Sequence, residues 1–384
     1  MLDFTPILSA LSVISNVRIC IYFFKRCGFF FFHFSVCDRQ WKKTGHPCPM
    51  SLSLRRKVDK SWMMDPEVSL LLHCAVWRGL RQSQVQVELS ERYNRQTDVA
   101  LQRHIEEVWT ARVAKEPWLF NGAKFRLHSF HAASPATQPS ACTVSFQNLD
   151  SIDSQTTDDK DTTPLLTLRV GLTTYKDYLG TNWSSRATEL RRRGEAELGS
   201  SQALLAQPLG VGAIVCTGDG QVVFIRRSQE VAEAGGKLDI PGGHPEPKVV
   251  CERLGEAKID MDLLQKSSEA VIAELFSSVC AEIRDEVNVP LSSLGEPLLM
   301  GVALNHTSAG RPSAEFYISC SLSSDEVREL YWKGGAEADE STDIVFLSRA
   351  ETLQLDRSSP LWSELCPSAK GAVLLFQIVK PEML

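Results

Sequence analysis

Ile240-Pro241-Gly242-Gly243-His244-Pro245-Glu246 and Ala281-Glu282-Ile283-Arg284-Asp285-Glu286-Val287-Asn288-Val289 bracket the stretch on which the reading of this chain turns. The second run has the pattern of a helix end. Glu282 and Glu286 are four residues apart, so a helix places them on one face, with Asp285 beside them. Like charges at that spacing repel. Anions near a helix C-terminus also oppose the helix dipole, by about 0.3–1 kcal/mol each. A divalent cation reverses both effects, because hard cations such as Mg²⁺ take a few carboxylates and accept substrate phosphates. Val271, Ile272, Leu275, Phe276, Val279, Ile283 and Val287 supply the apolar stripe of the same helix, Ser267 or Ser268 its start and Pro290 its stop. Glu274, Ser278, Glu282 and Glu286 run along its polar face.

Around this stretch lie 384 residues, room for two domains, with 43% apolar and 23% charged residues as in ordinary globular proteins. The 11 cysteines form no C-x-x-C pair and are odd in number. That pattern argues against a zinc site or a disulfide framework and suits a reducing, intracellular and cytoplasmic (or nuclear) setting. The net charge of −6 divides unevenly. Residues 1–63 hold ten Lys/Arg against three Asp, a balance of +7, which leaves −13 for the rest. An acidic body without a basic stripe is not expected to bind nucleic acid. Residues 5–37 are rich in apolar and aromatic side chains, but Asn16, Arg18, Lys25 and Arg26 break the run below the roughly 18 residues of a membrane span. No membrane association is expected. Residues 1–63 are read as a disordered extension outside the folded protein.

Residues 65–200 read as a small α+β domain. Val68–Leu72, Val85–Leu89, Phe125–Phe130 and Leu165–Val170 have strand patterns. Ala100–Ala114 is a helix capped by Asp98, and Ser184 or Ser185 is expected to cap a short helix running to Arg193. A polar stretch, 133–164, interrupts the domain, with a short strand expected at Thr143–Phe146. Residues 205–384 form the second domain. Val211–Cys216 and Val222–Ile225 make a hairpin across Thr217-Gly218-Asp219-Gly220. Leu298–Leu304 and Phe316–Cys320 make another, Asp325–Tyr331 is a short helix, Ile344–Leu347 a strand and Ser368–Lys380 a final helix.

The diglycine and the acidic helix together resemble the Nudix box, G-x5-E-x7-R-E-U-x-E-E-x-G-U. Glu282, Ile283, Asp285, Glu286 and Val289 fill its helical positions. Ala281 stands for the arginine and Asn288 for the glycine; Asn also enters the left-handed region. Val249 stands where the first glutamate is expected, and 39 residues separate Gly243 from Glu282 instead of 15, an insertion of 24. The fold this resemblance implies is α+β: a Nudix α/β/α sandwich around a mixed sheet, behind the smaller N-terminal domain. Further segments resemble Nudix hydrolases of UDP-sugars, from Met64 to about Val379, among them Pro117-Trp118-Leu119-Phe120, Asp239 to Pro247, Thr307-Ser308-Ala309-Gly310-Arg311 and Leu365 to Gly371.

What the resemblance implies is Mg²⁺-dependent hydrolysis of UDP-glucose and UDP-galactose to UMP and hexose 1-phosphate. Glu282 and Glu286 fall at the metal and catalytic positions. Phe120, Tyr175, Arg227, Ala232, Asp239, His244, Glu246 and Ser368 fall at substrate-binding positions. Phe120 and Tyr175 would stack on uracil. Arg227 would meet a phosphate. Asp239, His244 and Glu246 would bond ribose or hexose hydroxyls. Ser368 would cap its helix or let the helix N-terminus face a phosphate. The missing arginine and first glutamate leave two other readings open: a Nudix hydrolase of ADP-ribose or another nucleoside diphosphate derivative, and a silent nucleotide-binding module.

Overall fold

The computed structural model describes residues 18–26, 29–37, 65–133, 164–231 and 233–381. The expected strand at Thr143–Phe146, like Ala232, lies outside the described residues. Residues 1–60 and 61–384 form two compact units. In the first, β1 (Arg18–Arg26) pairs antiparallel with β2 (Phe29–Cys37); the rest of the extension read at 1–63 lies outside the described residues.

In the second unit, β3 (Val68–His73) does not join the N-terminal sheet expected for it. It pairs with a strand more than 200 residues downstream, since an apolar strand takes the edge that buries it. Next come β4 (Val85–Leu89) and helix α1 (Val99–Lys115), which Asp98 caps by accepting from the Leu101 amide. β5 (Ala123–Ala132) and β6 (Leu166–Thr174) follow, and β4-β6-β5 is a three-stranded sheet. Thr174 caps a short helix, α2 (Tyr175–Gly180), absent from the sequence reading. α3 (Ala187–Leu198) starts at Arg186 without a side-chain cap, rather than at Ser184 or Ser185, and runs five residues past Arg193.

β7 (Gly210–Cys216) and β8 (Gln221–Arg227) form the expected hairpin, and the chain returns through β9 (Leu238–Asp239) and β10 (Gly242–Gly243). The insertion folds into α4 (Pro247–Arg253) and α5 (Met261–Lys266), whose Val250, Cys251 and Leu264 are fully buried. Helix α6 (Ser268–Val287) buries all seven stripe residues, each contributing about 1.5–3 kcal/mol. β11 (Leu298–Asn305), β12 (Arg311–Ser319), α7 (Ser324–Lys333), β13 (Ser341–Ser348), α8 (Arg349–Gln354) and α9 (Pro367–Val379) complete the chain.

The large sheet runs β13-β8-β7-β12-β11-β3, with β9 beside β8 and β10 beside β7. β7 and β12 are parallel and the others antiparallel, so the sheet is mixed as expected. On one face α9 packs over Ile214, Phe224 and Tyr317; on the other α6 packs over Val215, Val223 and Phe316. That is the α/β/α sandwich. The three-stranded sheet lies beyond α6, and Val85, Phe125 and Leu168 share one continuous core with Val271, Phe276 and Phe316. The junction expected near 200–205 is correspondingly buried: Leu204, Leu205, Ala206, Gln207 and Leu209 are almost inaccessible.

Candidate active site

Residues 242–246 run extended alongside α6, and their alternate amides meet its polar face. The Gly242 amide donates to Glu286 Oε2 (2.9 Å), the His244 amide to Glu282 Oε1 (3.3 Å) and the Glu246 amide to Glu274 Oε1 (3.2 Å). Two residues of extended chain rise about 6.6 Å and four of helix about 6 Å, so the first step keeps pace and the second skips Ser278. Close approach requires the diglycine. A Cβ on Gly242 would lie 2.3 Å from the Val211 carbonyl oxygen, and one on Gly243 2.0 Å from Glu282 Oε1. Glu274 thus takes the third amide of this bend, and Arg253 pairs with it at 2.9 Å. Asn288 ends the helix at φ 62°, and its side chain donates to the Leu330 carbonyl (2.8 Å).

The bend opens on a cleft of about 950 Å³. Its chemistry divides into three parts. Glu246, Glu282, Asp285, Glu337 and Glu340 make an acidic wall; only the first three are in the quoted stretch. Burial, then the charges of Glu337 and Glu340, push Glu282 up to about 7. Burial, then Glu282, Asp239 and Glu340, push Glu286 well above the usual carboxylate range. Among the described residues no three His, Cys, Asp or Glu side chains form a closed metal cage. Mg²⁺ does not need one, since it keeps several waters and uses one or two carboxylates. A buried Glu286 and a half-buried Glu282, each with one amide bond and both resisting ionisation without a cation, fit a hard divalent cation.

The second part is cationic. Arg227 donates Nε to the Glu233 carbonyl (3.1 Å) and Nη1 to Asp239 (3.1 Å). Arg311 lies 3.5 Å from His244 Nε2 and 3.4 Å from Glu233. A guanidinium only donates, so the imidazole presents Nε2 as an acceptor. Burial and the charges of Arg311 and Lys124 hold His244 well below its usual range, neutral at pH 7. Lys124 reaches across from β5 to Glu246 (2.6 Å).

The third part is aromatic. Tyr178 stacks between Tyr175 (6.3 Å between centroids) and Trp183 (6.2 Å), and its hydroxyl donates to Glu233.

Of the residues singled out from sequence, Tyr175, Arg227, Asp239, His244, Glu246, Glu282 and Ser368 line the cleft. Glu286 sits behind the bend at 3% exposure. Ser368 does not cap α9. Cys366 does, its sulfur accepting from the Ala369 amide (3.5 Å). Phe120 stands at 77% exposure on the turn after α1, off the cleft walls. The Gly122 carbonyl two residues on accepts from the Tyr175 amide (2.9 Å). Lys124, Glu233, Glu337 and Glu340 have no local pattern that marks them, and Arg311 is marked only as the end of the resembling run 307–311.

A Bos taurus protein named uridine diphosphate glucose pyrophosphatase NUDT22 is 48% identical over 317 residues, 83% of this chain and 99% of that one. Its Homo sapiens namesake is 47% identical, covering 83% and 94%. Nudix hydrolase 9 of Arabidopsis thaliana is 31% identical over 82% of this chain and 93% of its own. The chain belongs to the Nudix hydrolase family. No family model matches it. As a Nudix chain it replaces the box arginine by Ala281 on the cleft wall, yet keeps both glutamates on the bend.

Proposed function

We propose that this chain hydrolyses UDP-glucose and UDP-galactose to UMP and hexose 1-phosphate, with Mg²⁺ as its cofactor. The observation that carries this is the anchoring of Glu282 and Glu286 to alternate amides of the diglycine bend, beside a cleft that Arg227, Arg311 and an aromatic wall line. Relatives named for UDP-glucose, matched along nearly their whole length, support the substrate class.

Water attacks one phosphorus, the bond from that same phosphorus to the bridging oxygen breaks, and two monophosphates leave. Glu282 and Glu286 would hold the cation, which when bound neutralises phosphate charge and lowers the pKa of water. The chain's own residues supply position. The amides of Gly242 and His244 fix the two carboxylates. Tyr175 offers a ring face to uracil, and Phe120, on the exposed turn tied to Tyr175 through the Gly122 carbonyl, would add a second. Arg227, oriented by Asp239, faces phosphate. Neutral His244 and the Glu246 carboxylate offer acceptors to sugar hydroxyls, and Ser368, in the first turn of α9, a donor. Ala232 precedes Glu233 in the sequence. The free cysteines suit a cytoplasmic setting. Among the described residues no helix is long and apolar enough to cross a membrane.

The test is product analysis. Purified protein with Mg²⁺ and UDP-glucose, UDP-galactose or ADP-ribose should release UMP and hexose 1-phosphate from the first two, and chelation should stop it. Faster cleavage of ADP-ribose, or no UMP, overturns the reading.

A further inference from the structure

We propose that Arg311 is a substrate-binding residue whose guanidinium takes non-bridging oxygens of the diphosphate. The proposal rests on the UDP-sugar reading above and adds a contact to it.

Arg311 opens β12 on the cleft wall. The loop before it is locked in place. Asn305 Oδ1 accepts from the Thr307 amide (2.9 Å) and hydroxyl (2.7 Å), and the Gly310 amide donates to the Asn305 carbonyl (2.8 Å). Two buried amide side chains hold the loop from outside: Asn182 donates to the Ser308 carbonyl (3.1 Å) and Gln207 to the Gly310 carbonyl (3.2 Å). A strand start tied down this way presents its side chain with little ordering left to lose on binding.

The guanidinium itself is under-used. It carries five N–H donors. Its side chain is 17% exposed, so water meets little of that need. Its polar contacts are both long, 3.4 Å to Glu233 and 3.5 Å to His244. It lies over the Tyr178 ring, 5.8 Å from the centroid. Arg227 differs: it is held by two bonds of 3.1 Å, to a carbonyl and to Asp239. A half-buried cation with spare planar donors is matched to an oxyanion with several acceptor oxygens, and the diphosphate is the substrate part with that chemistry. Glu233, which also takes the Tyr178 hydroxyl, is the positioning residue.

The experiment compares the full chain with R311K, R311Q and R311A. Loss of charged hydrogen bonds should lower kcat/KM for UDP-glucose by about 10- to 100-fold in R311Q, chiefly through KM, with R311K between. Melting temperatures should match the wild type, and added guanidinium ion should restore part of the R311A activity. Wild-type kcat/KM in R311Q overturns the proposal. So does a loss that tracks a fall in melting temperature and is not rescued by guanidinium. Wild-type turnover is read first, so absence of UMP there rejects the hydrolase reading. UDP binding by calorimetry then judges Arg311 separately, and equal affinity in wild type and R311Q rejects its role.

Discussion

Glu286 is 3% exposed with the Gly242 amide as its bonded partner, and burial followed by three neighbouring carboxylates opposes its ionisation. Its pH behaviour without metal follows. Unfolded, Glu282 and Glu286 titrate near about 4.3. Folded, Glu282 is pushed up to about 7 and Glu286 well above its ordinary value. Between those values the folded chain binds more protons than the unfolded one. The stability from both groups is therefore complete below the unfolded value and is lost as pH rises through the folded values. The melting temperature in chelator should fall from about pH 5 to about pH 8, and Mg²⁺ should recover it at the upper end. E286Q should melt at or above the wild type at pH 8 in chelator, with a flatter pH profile. Its turnover should drop by at least about a hundredfold, because the cation supplies several kcal/mol at the transition state. Undiminished turnover would remove Glu286 from the site.

At the scale of the element, α6 follows from its own sequence. The apolar stripe, the acidic face and the stop at Pro290 all sit where the 3.6-residue period puts them. Asn288 in the left-handed conformation was legible for the same reason, since few other residues accept it. N288A should therefore cost about 1–2 kcal/mol in urea denaturation, from the backbone penalty and the lost bond to Leu330. N288G keeps the backbone freedom and should cost less; equal costs would discount the conformational part. Serines lie near the starts of α3 and α9, yet α3 has no side-chain cap, and of the two roles open to Ser368 capping is excluded. At α9 the thiol of Cys366 reached the amide instead.

The whole molecule is where β3 and the domain boundary were decided. β3 lies on the edge of the large sheet beside β11. The residues before it reach α9 and its neighbourhood: Trp362 Nε1 donates to Asp65 (2.8 Å), and Lys370, 5% exposed, pairs with Glu67 and Asp65. A chain beginning at Met64 should then keep its melting temperature and turn over UDP-glucose within about twofold, as its compact unit starts at Ser61. A chain beginning at Ser69 loses Asp65 and Glu67, leaves Lys370 a buried unpaired charge, and should melt several degrees lower. If both truncations melt alike, these contacts are not holding the edge strand.

From sequence alone came the acidic helix, the diglycine against it, the mixed-sheet sandwich and seven of the residues on the cleft wall. These depend on residues near in sequence, through helix period and close backbone approach, and on a resemblance carried by the same short runs. The tertiary structure alone decided that Lys124 reaches Glu246, that Glu274 holds the Glu246 amide, and that Arg311, Glu233 and Tyr178 meet beside His244. Such meetings depend on strand register and on loops closed by distant partners, and a one-residue slip in register would turn each side chain to the other face.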